Sequence, residues 1–235
     1  MHGSTKRLPS LTATVVCFIA WKASAQSPGY SMAFTTVDER TFYFQGGGGT
    51  PLNTSESFYS LDLTHSWETV SPPWTPVHIV GPYPERLAAL GNTMVYSRSL
   101  QTLTTLDLIR SSAFITHFDL ATGTYEDLSG LPPTQVSLNA TDGVAGAVDP
   151  TTNHVYIPGA YAGGTLMLDF DLVSRTATTL LLPAVASKTS GWSGYTFVWN
   201  EVRRSFFLWG GRGHSESSYF FEFKPGNVMP WTELV

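Results

Sequence analysis

Cysteine is nearly absent from this chain: Cys17 is the single one in 235 residues. An internal disulfide and a cysteine-rich metal site are therefore both excluded. Charge is scarce as well. Only 13% of residues are charged, and 13 basic against 18 acidic groups leave a formal net charge of −5. No basic cluster interrupts that balance, and phosphate contacts need Lys and Arg, so no nucleic-acid partner is expected. No stretch keeps a helical period between capping residues, which removes bundles and alternating helix–strand layers. No apolar run is long enough to cross a bilayer, so no membrane span is expected in this chain. What remains is 42% hydrophobic and 13% aromatic, with 21 glycines. That is the composition of short strands joined by tight turns, and the length suffices to bury a core.

The N-terminal segment has the order of a secretory signal peptide. Lys6 and Arg7 form a basic start, Leu11 to Trp21 is uncharged and mostly apolar, and Ala23-Ser24-Ala25 precedes Gln26. The run is shorter than the ~20 residues of a membrane span. Cleavage is expected between Ala25 and Gln26. It would remove three basic residues, no acid and Cys17, taking the formal charge from −5 to −8. Two sequons, at Asn53 and Asn139, are candidate glycosylation sites on a secretory route. The expected localisation is extracellular, free or associated with the cell wall.

Internal repetition is the main signal. An aromatic-x-Asp-Leu segment recurs as Tyr59 to Leu63, His117 to Leu120 and Asp169 to Leu172, with a worn copy at Phe221 to Lys224. The step is about 52 to 57 residues, near the ~50 of kelch units. Small apolar strands recur ahead of it, at Ser31 to Thr35, Gly91 to Val95, Gly143 to Ala147 and Gly194 to Val198. Polar turns follow at Asp38-Glu39, Asp149-Pro150 and Asn200-Glu201, then bulkier strands at Thr41 to Gln45, His154 to Ile157 and Ser205 to Trp209. Glycine closes those strands at Gly46-Gly47, Gly159 and Gly210-Gly211, where positive φ and close backbone approach suit it. Fourth strands are expected around Trp67 to Val70, Tyr125 to Leu128, Ala177 to Leu180 and Trp231 to Leu234. Four strands per unit is the layout of a propeller blade, and one such sheet needs neighbours stacked on it. Phe44, Tyr59, Trp67, Tyr156, Phe170, Trp209, Phe221 and Trp231 are expected in the core between blades.

On these residues the chain resembles kelch-repeat β-propellers of the secreted, galactose-oxidase-like kind. Thr41 to Trp74, with Tyr43-Phe44-Gln45-Gly46-Gly47, Phe58 to Leu63 and Ser66-Trp67, is similar to first blades of secreted fungal kelch proteins. The second unit departs most, reading Leu106 to Arg110 where the glycine pair belongs. The expected fold is all-β, a propeller of four antiparallel four-stranded blades at about 30–80, 87–133, 142–184 and 191–235, after a 1–25 leader. The resemblance implies rings of five to seven blades, so three readings stand: an incomplete ring with unpaired blade faces and a capacity for self-association, which is favoured, a tight four-bladed ring, or two paired arcs.

Chemistry is harder to find. The resemblance would imply copper held by two Tyr and two His, with one Tyr cross-linked to Cys. A mature chain without Cys cannot form that cofactor, and His65, His78, His117, His154 and His214 stand singly. Gly46 to Gly49 lead into Thr50-Pro51 without the Lys of a phosphate loop. Asp38, Glu39, Asp149 and Glu201 fall in turns of different units, where Asp and Asn are ordinary turn formers. No catalytic residue, metal or cofactor is therefore expected. Binding is the favoured function, with a protein or glycan as partner. The candidate face comprises the second-to-third-strand loops and the inter-blade links, with Tyr161, Trp192, Arg212 and His214 as candidate contacts. The alternative is a carbohydrate-active or oxidase-like propeller domain whose catalytic residues are missing or lie outside this chain.

Overall fold

The computed structural model describes residues 33–46, 58–68, 72–84, 93–107, 114–128, 145–159, 166–182, 195–210, 220–227 and 229–234. These residues hold sixteen strands and no helix. The first blade contains β1 (Ala33–Val37), β2 (Thr41–Gln45), β3 (Phe58–Asp62) and β4 (Thr75–Pro76). The second contains β5 (Thr93–Ser97), β6 (Thr102–Asp107), β7 (Phe114–Asp119) and β8 (Thr124–Asp127). The third contains β9 (Ala147–Val148), β10 (His154–Pro158), β11 (Leu166–Asp171) and β12 (Thr176–Leu181). The fourth contains β13 (Tyr195–Asn200), β14 (Ser205–Gly210), β15 (Phe220–Phe223) and β16 (Trp231–Glu233). Each blade is a four-stranded antiparallel meander, and together they form a four-bladed β-propeller. The inner strands lie side by side in the order β1, β5, β9, β13.

The recurring Asp-Leu pair has a physical explanation. Asp62, Asp119 and Asp171 each end a third strand, and each Oδ1 accepts from backbone amides of the turn ahead: Thr64 N–H at 2.8 Å, Ala121 and Thr122 N–H at 2.8 Å, and Val173 N–H at 2.8 Å. These are Asx turns, in which a short carboxylate replaces a backbone acceptor. The leucines that follow donate their amides to the turn between the first two strands: Leu63 to Arg40, Leu120 to Gln101 and Leu172 to Asn153. One dipeptide thus ties two turns of a blade together. Gly46, Gly159 and Gly210, each at or just past the end of a second strand, hold φ of 73°, 67° and 77°, the conformation that glycine alone adopts freely.

Strand periodicity decides what each blade face meets. One side of the first blade, with Ala33, Tyr43 and Phe58, packs on Met94, Leu103 and Phe118 of the second. A larger cluster runs through blades two to four, from Val95 and Leu106 through Ile157 and Phe170 to Phe206 and Phe223. At the seam of blades three and four, Tyr156 meets Phe206 and Phe223 edge-on at 5.2 and 5.1 Å. In every seam the forward side of one blade lies on the backward side of the next.

Two expectations need correction, and a third is met where the sequence signal was weakest. Trp209 is 44% exposed rather than core, because its strand position puts it on the forward side of the last blade, which no further blade covers among the described residues. The fourth strand of the first blade is β4, paired with Tyr59 and Ser60 through Pro76 and Thr75. Trp67 instead lies in the preceding loop and packs on Phe42, Phe44 and Leu61. The second blade, weakest in sequence, is a full four-stranded sheet. Its second strand pairs in register with both neighbours from Thr102 to Leu106 without needing the glycine pair.

Gly123 joins two blades. After β4 the chain crosses to the second blade, where Val80 N–H donates to the Gly123 carbonyl at 2.8 Å. Gly123 has φ +71°, and a Cβ there would lie 3.1 Å from the His78 carbonyl oxygen. Gly123→Ala is expected to lower stability by about 1–2 kcal/mol through strain and crowding of this strap. Urea unfolding of the two proteins checks it, and an unchanged or raised midpoint would contradict the strap's role.

Candidate functional site

The meander order gives each blade two unlike ends. Turns between first and second and between third and fourth strands share one end. The second-to-third connection and the link to the next blade share the other. At the first end the connections are mostly tight, as at 38–40, 98–101, 120–123, 149–153, 172–175 and 201–204. The exception there is 63–74, and at the opposite end the connections are mostly longer: 46–57, 77–92, 128–146, 159–165, 182–194 and 211–219, with 108–113 short.

The tight-turn end is built from paired polar groups. Arg98 Nε bonds Asp38 Oδ1 at 2.7 Å, and the Tyr96 hydroxyl donates to Asp38 Oδ2 at 3.3 Å, tying the second blade to the first. Ser97 and Ser99 hydroxyls donate to Asn153 Oδ1 at 2.8 and 2.6 Å, tying the second to the third. Arg175 Nη2 lies 2.8 Å from Glu126 Oε1 across the same seam. Asp38, Glu39, Gln101, Asn153, Arg175 and Arg204 all adopt positive φ in these turns, which polar residues tolerate better than β-branched ones. Hydrogen bonds from the Thr64 hydroxyl, the Thr64 amide and His65 hold the Asp62 carboxyl at about 2, below its ordinary 3.8.

Buried polar groups lie at the seams. Gln45, 1% exposed, donates through Nε2 to the Tyr125 hydroxyl at 2.6 Å and the Tyr83 hydroxyl at 3.1 Å, and its Oε1 accepts from Thr105 at 3.1 Å. Burial pushes the Tyr125 phenol well up. His117 is buried on the second blade, and desolvation takes its imidazole down to about 4, so it is neutral at pH 7. His154 Nδ1 lies 2.6 Å from Asp169 Oδ1 while its Nε2 faces Asp171 Oδ2 at 3.8 Å. Both ring nitrogens of this imidazole are turned to carboxylates. Desolvation raises the Asp169 carboxyl. Among the described residues no three His, Cys, Asp or Glu side chains form a metal-ligand group, and no helix is long and apolar enough to cross a membrane.

All four contacts expected from the sequence, Tyr161, Trp192, Arg212 and His214, lie outside the described residues, as do Asn53, Asn139, Ala25 and Gln26. The strands that bracket the four contacts are described. Tyr161 falls between β10 and β11, Trp192 between β12 and β13, and Arg212 and His214 between β14 and β15. Each of those strand ends is at the long-connection end. Sequence reasoning missed the tight-turn network, whose partners lie 49 to 60 residues apart. The one available signal was the polar turn in each unit.

No family model matches this chain, and no curated protein does. Solved structures do match. An auxiliary nutrient binding protein from Bacteroides ovatus is similar over 89% of this chain and 48% of its own, at TM-score 0.54 and 12% identity. A second auxiliary nutrient binding protein, from Bacteroides thetaiotaomicron, is similar over 88% of this chain and 42% of its own, at TM-score 0.49 and 8% identity. A gluconolactonase from Xanthomonas campestris is similar over 76% of this chain and 53% of its own, at TM-score 0.45 and 16% identity. The likeness is one of fold. The chain spans about half the length of the solved structures it matches.

Glu222 shows how firmly the charged groups are held. Its side chain is 4% exposed, takes a bidentate pair of bonds from Arg203 at 2.8 and 2.9 Å, and accepts from Ser205 at 2.7 Å. The Arg203 bonds, with help from Ser205 and Lys224, hold its carboxyl at about 2 against an ordinary 4.5. A folded value below the unfolded one adds stability above about pH 4.5, and that contribution is lost as pH falls toward 2. Glu222→Gln is expected to lower stability at pH 7 and to flatten the loss between pH 4.5 and 2. Denaturant titrations across that window check it, and parallel pH profiles for both proteins would contradict it.

Proposed function

We propose that this chain is an extracellular kelch-type binding module that recognises a protein or glycan through its long-connection end and carries out no chemistry of its own. The observation that supports this most is the asymmetry between the two ends. At the tight-turn end Asp38, Arg98, Asn153, Arg175 and Glu126 are engaged with one another across blade seams. Such groups position the scaffold and are poorly placed to take a ligand. The opposite strand ends carry most of the long connections, and long loops on a rigid frame are where binding residues concentrate. Those connections contain Tyr161, Trp192, Arg212 and His214, residue types enriched at binding surfaces. Secretion is part of the proposal and rests on the leader-like order of Lys6 to Ala25.

An oligosaccharide array, together with capture of extracellular proteins, tests the reading with the full chain. Binding should fall about tenfold or more, roughly 1.4 kcal/mol, in at least one of Tyr161→Ala, Trp192→Ala, Arg212→Ala and His214→Ala, with the melting transition unchanged. Arg98→Ala and Arg175→Ala, at the other end, should leave binding intact. Loss of binding from the second pair alone, or turnover of a sugar by the purified chain, would contradict the proposal. Turnover would favour a carbohydrate-active propeller instead.

A further inference from the structure

The seam between blades two and three closes over an imidazole whose Nε2 has no partner. Alternation places Ile115 and His117 of β7 on the forward side of the second blade, with Thr104 and Leu106 of β6 and Glu126 of β8. Leu106 and Ile115 pack with Ile157, Leu168 and Phe170, so the third blade covers this side. Val155, Phe170 and Ala177 lie beside one another on the covering surface, which is apolar. His117 is 7% exposed, and Thr104, opposite it on β6, is fully buried. Among the described residues, His117 Nε2 and the hydroxyls of Thr102 and Thr104 are buried without a hydrogen-bond partner. Charge reaches this seam at its rim. Glu126 is the cross-strand neighbour of His117, and its Oε1 lies 2.8 Å from Arg175 Nη2 in a turn of the third blade. Asp119, two residues along β7 on the same side, accepts from the Ala121 and Thr122 amides through Oδ1. Burial is what lowers the basicity of His117 most. Glu126 opposes that effect and Arg175 adds to it.

We propose that this seam is an acid-operated joint, closed while His117 is neutral and opened between blades two and three when the imidazole takes a proton. A cation buried against apolar residues is costly, and the facing surface of the third blade offers its N–H no acceptor. The protonated ring also competes with Arg175 for Glu126, and so weakens the ion pair that ties the two blades. Opening returns the imidazole to water and removes both penalties. The folded value of about 4 lies below the ordinary 6.5. Closure is therefore fully favoured above pH 6.5 and weakens as pH falls toward 4, because the open state binds the proton more readily.

Hydrogen exchange of the full chain at about pH 7 and pH 5, corrected for the intrinsic pH dependence of exchange, is the test. Amides of β7, β8 and β10, which border the seam, should lose about tenfold or more in protection over that interval. Amides of β2 and β3 in the first blade should lose clearly less. His117→Gln has no proton to take in this range, so its seam amides should keep their protection while the other histidines still titrate. His117→Leu replaces it should that variant lose the strand signal in circular dichroism. The His117 ring proton, assigned by its absence from the variant, should titrate well below the ordinary 6.5 while the seam is closed. Equal losses of protection in His117→Gln and the parent would overturn the proposal. So would an even loss across all four blades, or an imidazole that titrates near 6.5 with the seam amides still protected.

Discussion

Each sheet here is apolar on both sides, and that condition governs everything else in the molecule. A sheet of four short strands buries little within itself, so its sides must be covered by other sheets. Seams between blades are therefore where the large side chains sit: Phe58 on Phe118 at 5.0 Å, Tyr156 on Phe206 at 5.2 Å and Tyr156 on Phe223 at 5.1 Å. Each buried aromatic removes roughly 150–250 Å² from water. Polar groups caught in a seam must find partners there, as Gln45 does with Tyr83, Tyr125 and Thr105. The Tyr195 hydroxyl does so with the Pro158 carbonyl, at 2.5 Å.

Stacking also fixes which end of the molecule is free to act. To align one blade on the next, turns at one end are tied by Arg98 to Asp38, by Ser99 to Asn153 and by Arg175 to Glu126. These bonds hold the register of neighbouring blades and occupy the charged groups that make them. The opposite end carries no such obligation in its chain lengths. The proposed binding function rests on that division: one end keeps the frame and the other carries most of the longer connections.

Much of this was legible in the sequence because the fold is repetitive. Asp62, Asp119 and Asp171 recur since in three of the four blades the same carboxylate caps the turn that follows the third strand, and the leucines recur since each amide closes onto the neighbouring turn. The second blade was harder to see. Its third strand keeps Phe118 and Asp119, but Leu106 and Asp107 replace the glycine signal, and only pairing with β5 and β7 restores the strand. Trp209 was misplaced because periodicity tells which residues share a side and not whether another blade covers it. The first blade's outer strand was misplaced because two prolines, Pro72 and Pro73, push it beyond Trp67 to Thr75 and Pro76. Inter-blade ion pairs were invisible, since they join residues about one repeat apart with no local pattern.

Phe206 and Phe207 are chemically identical neighbours on one strand, one buried in the seam with the third blade and the other on the last blade's forward side. If stacking of blade sides carries the stability, their truncations must differ sharply. At concentrations where the chain is monomeric, Phe206→Ala should cost about 3–5 kcal/mol in urea unfolding and Phe207→Ala less than half of that. Equal losses from the two substitutions would contradict the account.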